Sequence, residues 1–300
     1  MRPYYSIFIS YLLCIIAMHA TIVTADDTVW HENPIVVVIP SFNNKAWYKR
    51  NLESVWQQKY SNFRVIYIDD CSPDGTGKLV AEYVTAHPHH FDFKLIQNGQ
   101  RCGPLANYYN AIHSCKDYEI VVCLDGDDFF AHEQALGRIN YAYECDPMLL
   151  FTYGQFINYI NPKRGSSWAR AYPADVKANN SYRKAEWVVT HPRSFYAGLF
   201  KKIKQEDLMR DGAYIEACID FVTAIPMLEM AGGRYEFIPH VLYIYNNSNP
   251  ISEHRLRLKT MKSNVRFVRG KEPYSPLSDD QVRVIRRLPE GHDVDQAITD

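Results

Sequence analysis

Four short apolar runs, each broken off by polar or acidic residues, recur at spacings of about thirty residues, the length of one βαβ unit. They occupy 35–39 before Pro40, Ser41, Phe42 and Asn43; 63–68 before Asp69 and Asp70; 93–96 before Gln97 and Asn98; and 120–124 before Asp125, Gly126, Asp127 and Asp128. Their Val, Ile, Tyr and Phe come without strict polar alternation, which suits strands buried on both faces. Helical spacing fills the gaps at 47–57, 77–85 and 105–115. The order β-α-β-α-β-α-β predicts an α/β chain with a Rossmann-like, mostly parallel sheet and helices on both faces.

In such a sheet every carboxyl end lies on one edge, where ligands bind. Ser41, Asn43, Asp69, Asp70, Asn98, Arg101 and the 125–128 cluster are therefore expected to converge. Three carboxylates beside a buried strand end repel one another and lose hydration unless a cation sits among them. A hard divalent ion, Mg²⁺ or Mn²⁺, takes oxygen ligands and keeps positions open for phosphate oxygens, so the cluster is half of a nucleotide diphosphate site. Alone it reads equally as a solvated acidic turn. Asp70 can accept a hydrogen bond from a base N–H and Phe42 can offer a ring face. With 22 Tyr and 14 Phe in the chain, a core aromatic is the competing reading of Phe42. Asn43 reads equally as the N-cap of the 47–57 helix. SPDGTG, 72–77, has glycines for tight backbone but no P-loop Lys, which argues against a Walker-type site. Arg101 reads either as an aid to the diphosphate or as a surface residue.

The stretches IVVVIPSFNN, VIYIDDCSPDGTG, NGQRCGPLANYYNAI and VVCLDGDD, in that order, closely resemble the nucleotide-binding half of family 2 glycosyltransferases with the GT-A fold. The resemblance covers 35–130 and continues more weakly to about 245. It implies a GT-A domain over 34–250, with 34–130 as the nucleotide-sugar half and 131–250 as a smaller acceptor-binding lobe. It further implies that Pro40, Ser41, Phe42, Asp70 and Arg101 surround the donor nucleotide, and that 125–128 is a DxD-type motif. Asp125 and Asp127 would face the donor, and Asp127 and Asp128 are the metal candidates. Family members commonly carry Tyr where this chain has Phe42.

Transfer to a hydroxyl also needs a base. An apolar helix at 219–230 ends at Gly232 and Gly233, and short strands are expected at 235–238 and 241–245. Asp220 stands at the helix start and is similar in position to the family's catalytic base, usually the second member of a Glu-Asp pair; Ile219 replaces the first. Glu216 lies one turn earlier as a fallback. From the residues alone Asp220 is also a first-turn carboxylate favoured by the helix dipole. The resemblance implies an inverting single displacement in which Asp220 takes the acceptor proton and a metal stabilises the leaving diphosphate. UDP is the family's commonest carrier. The segment 169–190, with Tyr172, Pro173, Tyr182 and Trp187, is where a glycan, protein or lipid hydroxyl acceptor would be chosen, and His191, Arg193 and Tyr196 are contact candidates. The Gln-x-x-Arg-Trp signature of processive synthases is absent, which favours single addition.

Thirty-three basic against 34 acidic residues leave no polycationic face for nucleic acid. Residues 255–271 and 283–287 read as amphipathic surface helices in a C-terminal appendage, 251–300, loose from 273 onward. Residues 1–25 read as a secretory signal peptide: Arg2, an apolar run at 7–17, and Val23-Thr24-Ala25 before Asp26. A single N-terminal membrane anchor is the rival reading. Either places the chain outside the cell or in the secretory lumen, where the six cysteines beyond residue 25 are compatible with disulfides. A catalytically inactive secreted protein binding nucleotide or Ca²⁺ on the same scaffold is the alternative function. A nucleotidyltransferase would need a Gly-rich basic loop after the first strand, and PSFNNKAWYKR is not one.

Overall fold

The computed structural model describes residues 31–161, 169–251 and 256–287. The targeting segment at 1–25 lies outside the described residues. From Ile35 the expected alternation holds: β1 (Ile35–Ser41), α1 (Tyr48–Trp56), β2 (Phe63–Asp69), α2 (Thr76–Ala86), β3 (Asp92–Gln97), α3 (Pro104–His113) and β4 (Ile120–Cys123). The second half adds β5 (Phe129–Phe130), α4 (Ala135–Cys145), β6 (Phe151–Asn158), α5 (Ala174–Ala178), β7 (Arg193–Tyr196) and α6 (Ala197–Phe200). Beyond these come the hairpin β8 (Met209–Arg210) and β9 (Ala213–Tyr214), then α7 (Ile219–Ala231), β10 (Tyr235–Tyr245), α8 (Leu258–Arg269) and α9 (Asp279–Arg286).

Eight strands form one mixed sheet in the order β3-β2-β1-β4-β7-β6-β10-β5. β1 lies between β2 and β4, parallel to both, with Ile35 in register with Phe63 and Ile120. Val36, Val37, Val38 and Ile39 are wholly buried, which is why β1 shows no polar alternation. Right-handed crossovers put α1 and α2 on one face and α3 on the other, because the chain reverses direction across the sheet after β3. That reversal opens a crevice between the carboxyl ends of β1 and β4. β7 runs antiparallel to both β4 and β6, so the second half extends the first sheet and builds none of its own of that size.

Three expectations change. The two short strands at 235–238 and 241–245 are one strand, β10, whose register shifts between Phe237 and Val241, around Pro239, which has no N–H to give the ladder. In the segment expected to choose an acceptor, Tyr172 and Tyr182 are buried in a ring cluster with Tyr153 and Tyr235, and Trp187 packs on Phe221. The C-terminal segment is no loose appendage as far as residue 287. Val282 and Ile285 of α9 are buried, Ile285 fits over Gly198 of α6, and Arg286 donates to the carbonyls of Tyr143, Asp146 and Leu149.

α7 explains its own composition. Eleven of its residues, from Phe221 to Ala231, are buried, so the helix is apolar all round. Its one buried carboxylate, Glu229, is paired with Arg183 at 2.7 Å and accepts from the Tyr274 backbone N–H.

Candidate functional site

The acidic turn after β4 is laced to the end of β1: Leu124 N–H donates to the Val38 carbonyl and Gly126 N–H to that of Pro40. From α1, wholly buried Asn51 donates its amide to the carbonyls of Asp125 (3.0 Å) and Asp128 (2.8 Å), closing the turn from behind. Gly126 is required by space. A Cβ there would lie 2.7 Å from the Ser41 Cβ and 2.8 Å from Asn44 Nδ2. Ser41 itself is buried, its hydroxyl accepting from Asn44 and Tyr67. It shapes the floor of the crevice.

The three carboxylates have different surroundings. Both Asp128 oxygens are occupied, one by the Tyr243 hydroxyl (2.7 Å) and one by the Asn246 N–H (2.6 Å), and the residue is buried. Burial and the charges of Asp127 and Asp125 push its carboxyl well above the usual range. Asp128, expected beside Asp127 as a metal ligand, thus holds the end of β10 against the turn. Asp127 is partly open and accepts from Asn249 Nδ2 at 2.6 Å; burial pushes it up to about 6, with Asp125 adding repulsion and Asn249 working the other way. Asp125 is also raised by burial, opposed by Arg193 and by the Tyr108 hydroxyl 3.2 Å away.

Such a set is short of positive charge, and a divalent cation fits it. Among the described residues no three metal-type side chains converge. Asp127, with Asp125 beside it, would therefore hold an ion that completes its shell with ligand oxygens, the usual habit of Mg²⁺.

Asp70 sits across the crevice. One of its oxygens accepts from Asn98 Nδ2 and the Cys102 N–H, both at 2.8 Å, and the other from the Gly103 N–H at 2.9 Å. Burial would raise its pKa, but these bonds outweigh it and hold the carboxylate below its ordinary range. Of roughly four acceptor sites one is left for a ligand N–H. Phe42 does not present an open ring on both sides: the Arg101 guanidinium lies 4.0 Å from its centroid. Asn43 is no N-cap. It takes φ 56° and gives its N–H to the Ser72 hydroxyl, while α1 starts five residues past it, at Tyr48.

Asp220 occupies the first turn of α7, following Cys218 in the left-handed conformation at φ 63°. Among the described residues its carboxylate has no hydrogen bond or ion pair, while Glu216 is an exposed partner of Arg257 at 2.8 Å. The fallback thus lies on the surface. A cleft of about 250 Å³ brings Asp220 together with Pro40, Ser41, Phe42, Asp70, Arg101, Asp125, Asp127 and Asp128. His191, stacked 4.6 Å from Tyr243, and Arg193 line the same cleft. Tyr196 does not: it points to the other face of β7 and packs on Tyr143 under Arg286. Asn51, Tyr243 and Asn249 escaped the sequence reading. Asn51, a polar residue on the buried face of α1, was the one visible signal.

All six cysteines in the described residues are free thiols.

The sequence profile of glycosyl transferase family 2 matches residues 36–206. An uncharacterized glycosyltransferase of Haemophilus influenzae is 31% identical over 117 residues, 39% of this chain and 37% of its own length. The chain therefore spans little more than a third of that relative. Residues 1–349 of S. aureus TarS superpose with a TM-score of 0.58 at 15% identity, over 84% of this chain and 69% of that fragment. Glucosyl-3-phosphoglycerate synthase of Mycobacterium tuberculosis gives 0.53 at 12% identity, over 80% of each chain. The fold agrees with these GT-A proteins, and the match over more than half of the sequence settles the family: this chain belongs to glycosyl transferase family 2.

Proposed function

We propose that this protein moves a sugar from a nucleotide diphosphate donor, UDP in the first instance, to a hydroxyl acceptor by one inverting displacement that depends on a divalent cation. The observation that carries the reading is the single cleft shared by Asp70, Asp127 and Asp220, contributed by the ends of β2 and β4 and the start of α7. TarS has been crystallised with UDP-GlcNAc, and the mycobacterial synthase with Mn²⁺ and UDP, which supports this class of donor.

In this reading Asp70 accepts the base N–H, and the Phe42–Arg101 pair borders the base. Asp127 and Asp125 would hold the cation, which neutralises charge on the diphosphate as it leaves. Asp220 accepts the proton of the attacking hydroxyl. No second nucleophilic carboxylate is required for inversion. The acceptor is a glycan, protein or lipid hydroxyl, met in the secretory pathway if residues 1–25 act as a signal or tether.

The test is thermal stabilisation by a panel of nucleotide diphosphates and their sugars, with and without Mn²⁺, on wild type and Asp127→Ala. A rise that one nucleotide produces only with metal, and that the variant lacks, establishes the donor site. Indifference to every nucleotide would overturn it.

A further inference from the structure

Arg193 opens β7 and is 5% exposed, yet among the described residues its guanidinium makes no hydrogen bond and no ion pair, and its Nε is fully enclosed without an acceptor. Five N–H donors and a full charge in that state are costly. The same molecule shows how a structural arginine is treated. Arg183, equally buried and with an Nε that likewise makes no hydrogen bond, is ion-paired with Glu229 at 2.7 Å and donates from its other nitrogens to Glu229 at 3.0 Å and to the Val268 carbonyl. Arg193 is denied such partners although Asp125 and Asp220 lie near enough to act on its charge.

Its place explains the difference. Arg193 lines the main cleft and also a small side pocket of about 70 Å³, shared with Thr190, His191, Asp220, Tyr245 and Phe156. That is room for several waters, and enough for a group the size of a carboxylate. The guanidinium fork matches two oxygens of such a group, and its charge offsets that of Asp220, so an anion entering there meets a cation first. We propose that Arg193 is the receptor for a small oxyanion of the substrate, a carboxylate or phosphate seated beside Asp220. The carrier of that oxyanion rests on the transferase reading: it is a uronate sugar, an acidic acceptor or the donor diphosphate.

The test uses melting temperature and calorimetric titration on the full chain, wild type, Arg193→Lys and Arg193→Met, at fixed ionic strength. Probes are inorganic phosphate, glucuronate and glucose, then UDP, UDP-glucose and UDP-glucuronate. Wild type should be stabilised by phosphate or glucuronate and not by glucose. Arg193→Met should melt close to wild type without ligand, since no hydrogen bond or ion pair is lost with the guanidinium, and should lose the anion response. Arg193→Lys should keep part of it. A tenfold preference for UDP-glucuronate over UDP-glucose that disappears in Arg193→Met assigns the anion to the sugar; a tenfold loss for UDP itself assigns it to the diphosphate. An anion response unchanged in Arg193→Met, or melting of both variants well below wild type, would overturn the proposal. Absence of any UDP response in wild type would sink the donor reading and leave the phosphate and glucuronate arms decisive for Arg193.

Discussion

Asn51 and Asp128 are joined by a 2.8 Å hydrogen bond from the Asn51 amide to the Asp128 carbonyl, and the same amide reaches the Asp125 carbonyl at 3.0 Å. One side chain on α1 therefore fixes both ends of the acidic turn. Asn51→Leu leaves the Asp128 carbonyl without its donor and the Asp125 carbonyl with only the Asp128 N–H, and should cost about 1 to 3 kcal/mol, read from denaturant unfolding. Nucleotide affinity should fall with it, because Asp127 sits between the two anchored carbonyls.

Asp127 and Asp128 should separate cleanly. Asp127→Asn relieves repulsion in the turn and should leave stability unchanged or raised while metal-dependent nucleotide binding is lost. Asp128→Asn can no longer accept from Tyr243 and Asn246 on two oxygens and should lose about 1 to 3 kcal/mol of stability. Paired melting curves and titrations decide; equal loss of stability in both variants would contradict the division.

Asp220→Asn should lower turnover by about a hundred- to ten-thousandfold with donor affinity retained. Glu216→Gln, whose parent residue is a surface partner of Arg257, should turn over at about the wild-type rate. Rate and affinity measured side by side would expose the reverse assignment.

Glu119 supplies a pH test away from the cleft. Burial would raise its pKa, but two bonds from Arg64, at 2.8 and 3.0 Å, and the Lys116 N–H outweigh it and leave it depressed. A depressed carboxylate contributes stability above its unfolded value, near 4.5, and loses it as pH falls through the folded one. The gap between wild type and Glu119→Gln should be about 1 to 2 kcal/mol at pH 7, since the pair is partly solvated, and should close below pH 4.5. A gap that persists at the lowest pH at which both fold would refute the assignment.

Ile285→Ala should cost about 2 to 5 kcal/mol in unfolding experiments, because Ile285 is buried against α6. A surface appendage would tolerate the change.

The nucleotide half was legible because its code is local. Each apolar run is a strand buried on both faces, and each polar break falls at a carboxyl end, so Asp70 and Asp125 to Asp128 could be placed together from spacing. What the carboxylates do was not legible. Asp127 and Asp128 are neighbours in the chain and both line the cleft, and only Tyr243, Asn246 and Asn249, more than a hundred residues away, occupy both oxygens of one and leave the other partly open. The same limit hid the aromatic cluster: Tyr172 and Tyr182 sit in a stretch with no periodicity, and their burial follows from Tyr153 and Tyr235 on distant strands. α9 carries its capping box, Ser278 with Gln281, in plain view, yet its docking surface on Tyr143, Asp146 and Leu149 is set by tertiary packing.

The bonds that close the acidic turn onto β10 span 115, 118 and 122 residues. Closing loops of that length is entropically costly and comes late in folding, after neighbouring strands have paired. During synthesis β1 to β5 exist before β10 has emerged, and through that interval Asp128 has neither Tyr243 nor Asn246 to satisfy it. The cleft is therefore completed last, and under the proposed function nucleotide capture becomes a readout of a fully folded chain rather than of its amino-terminal half.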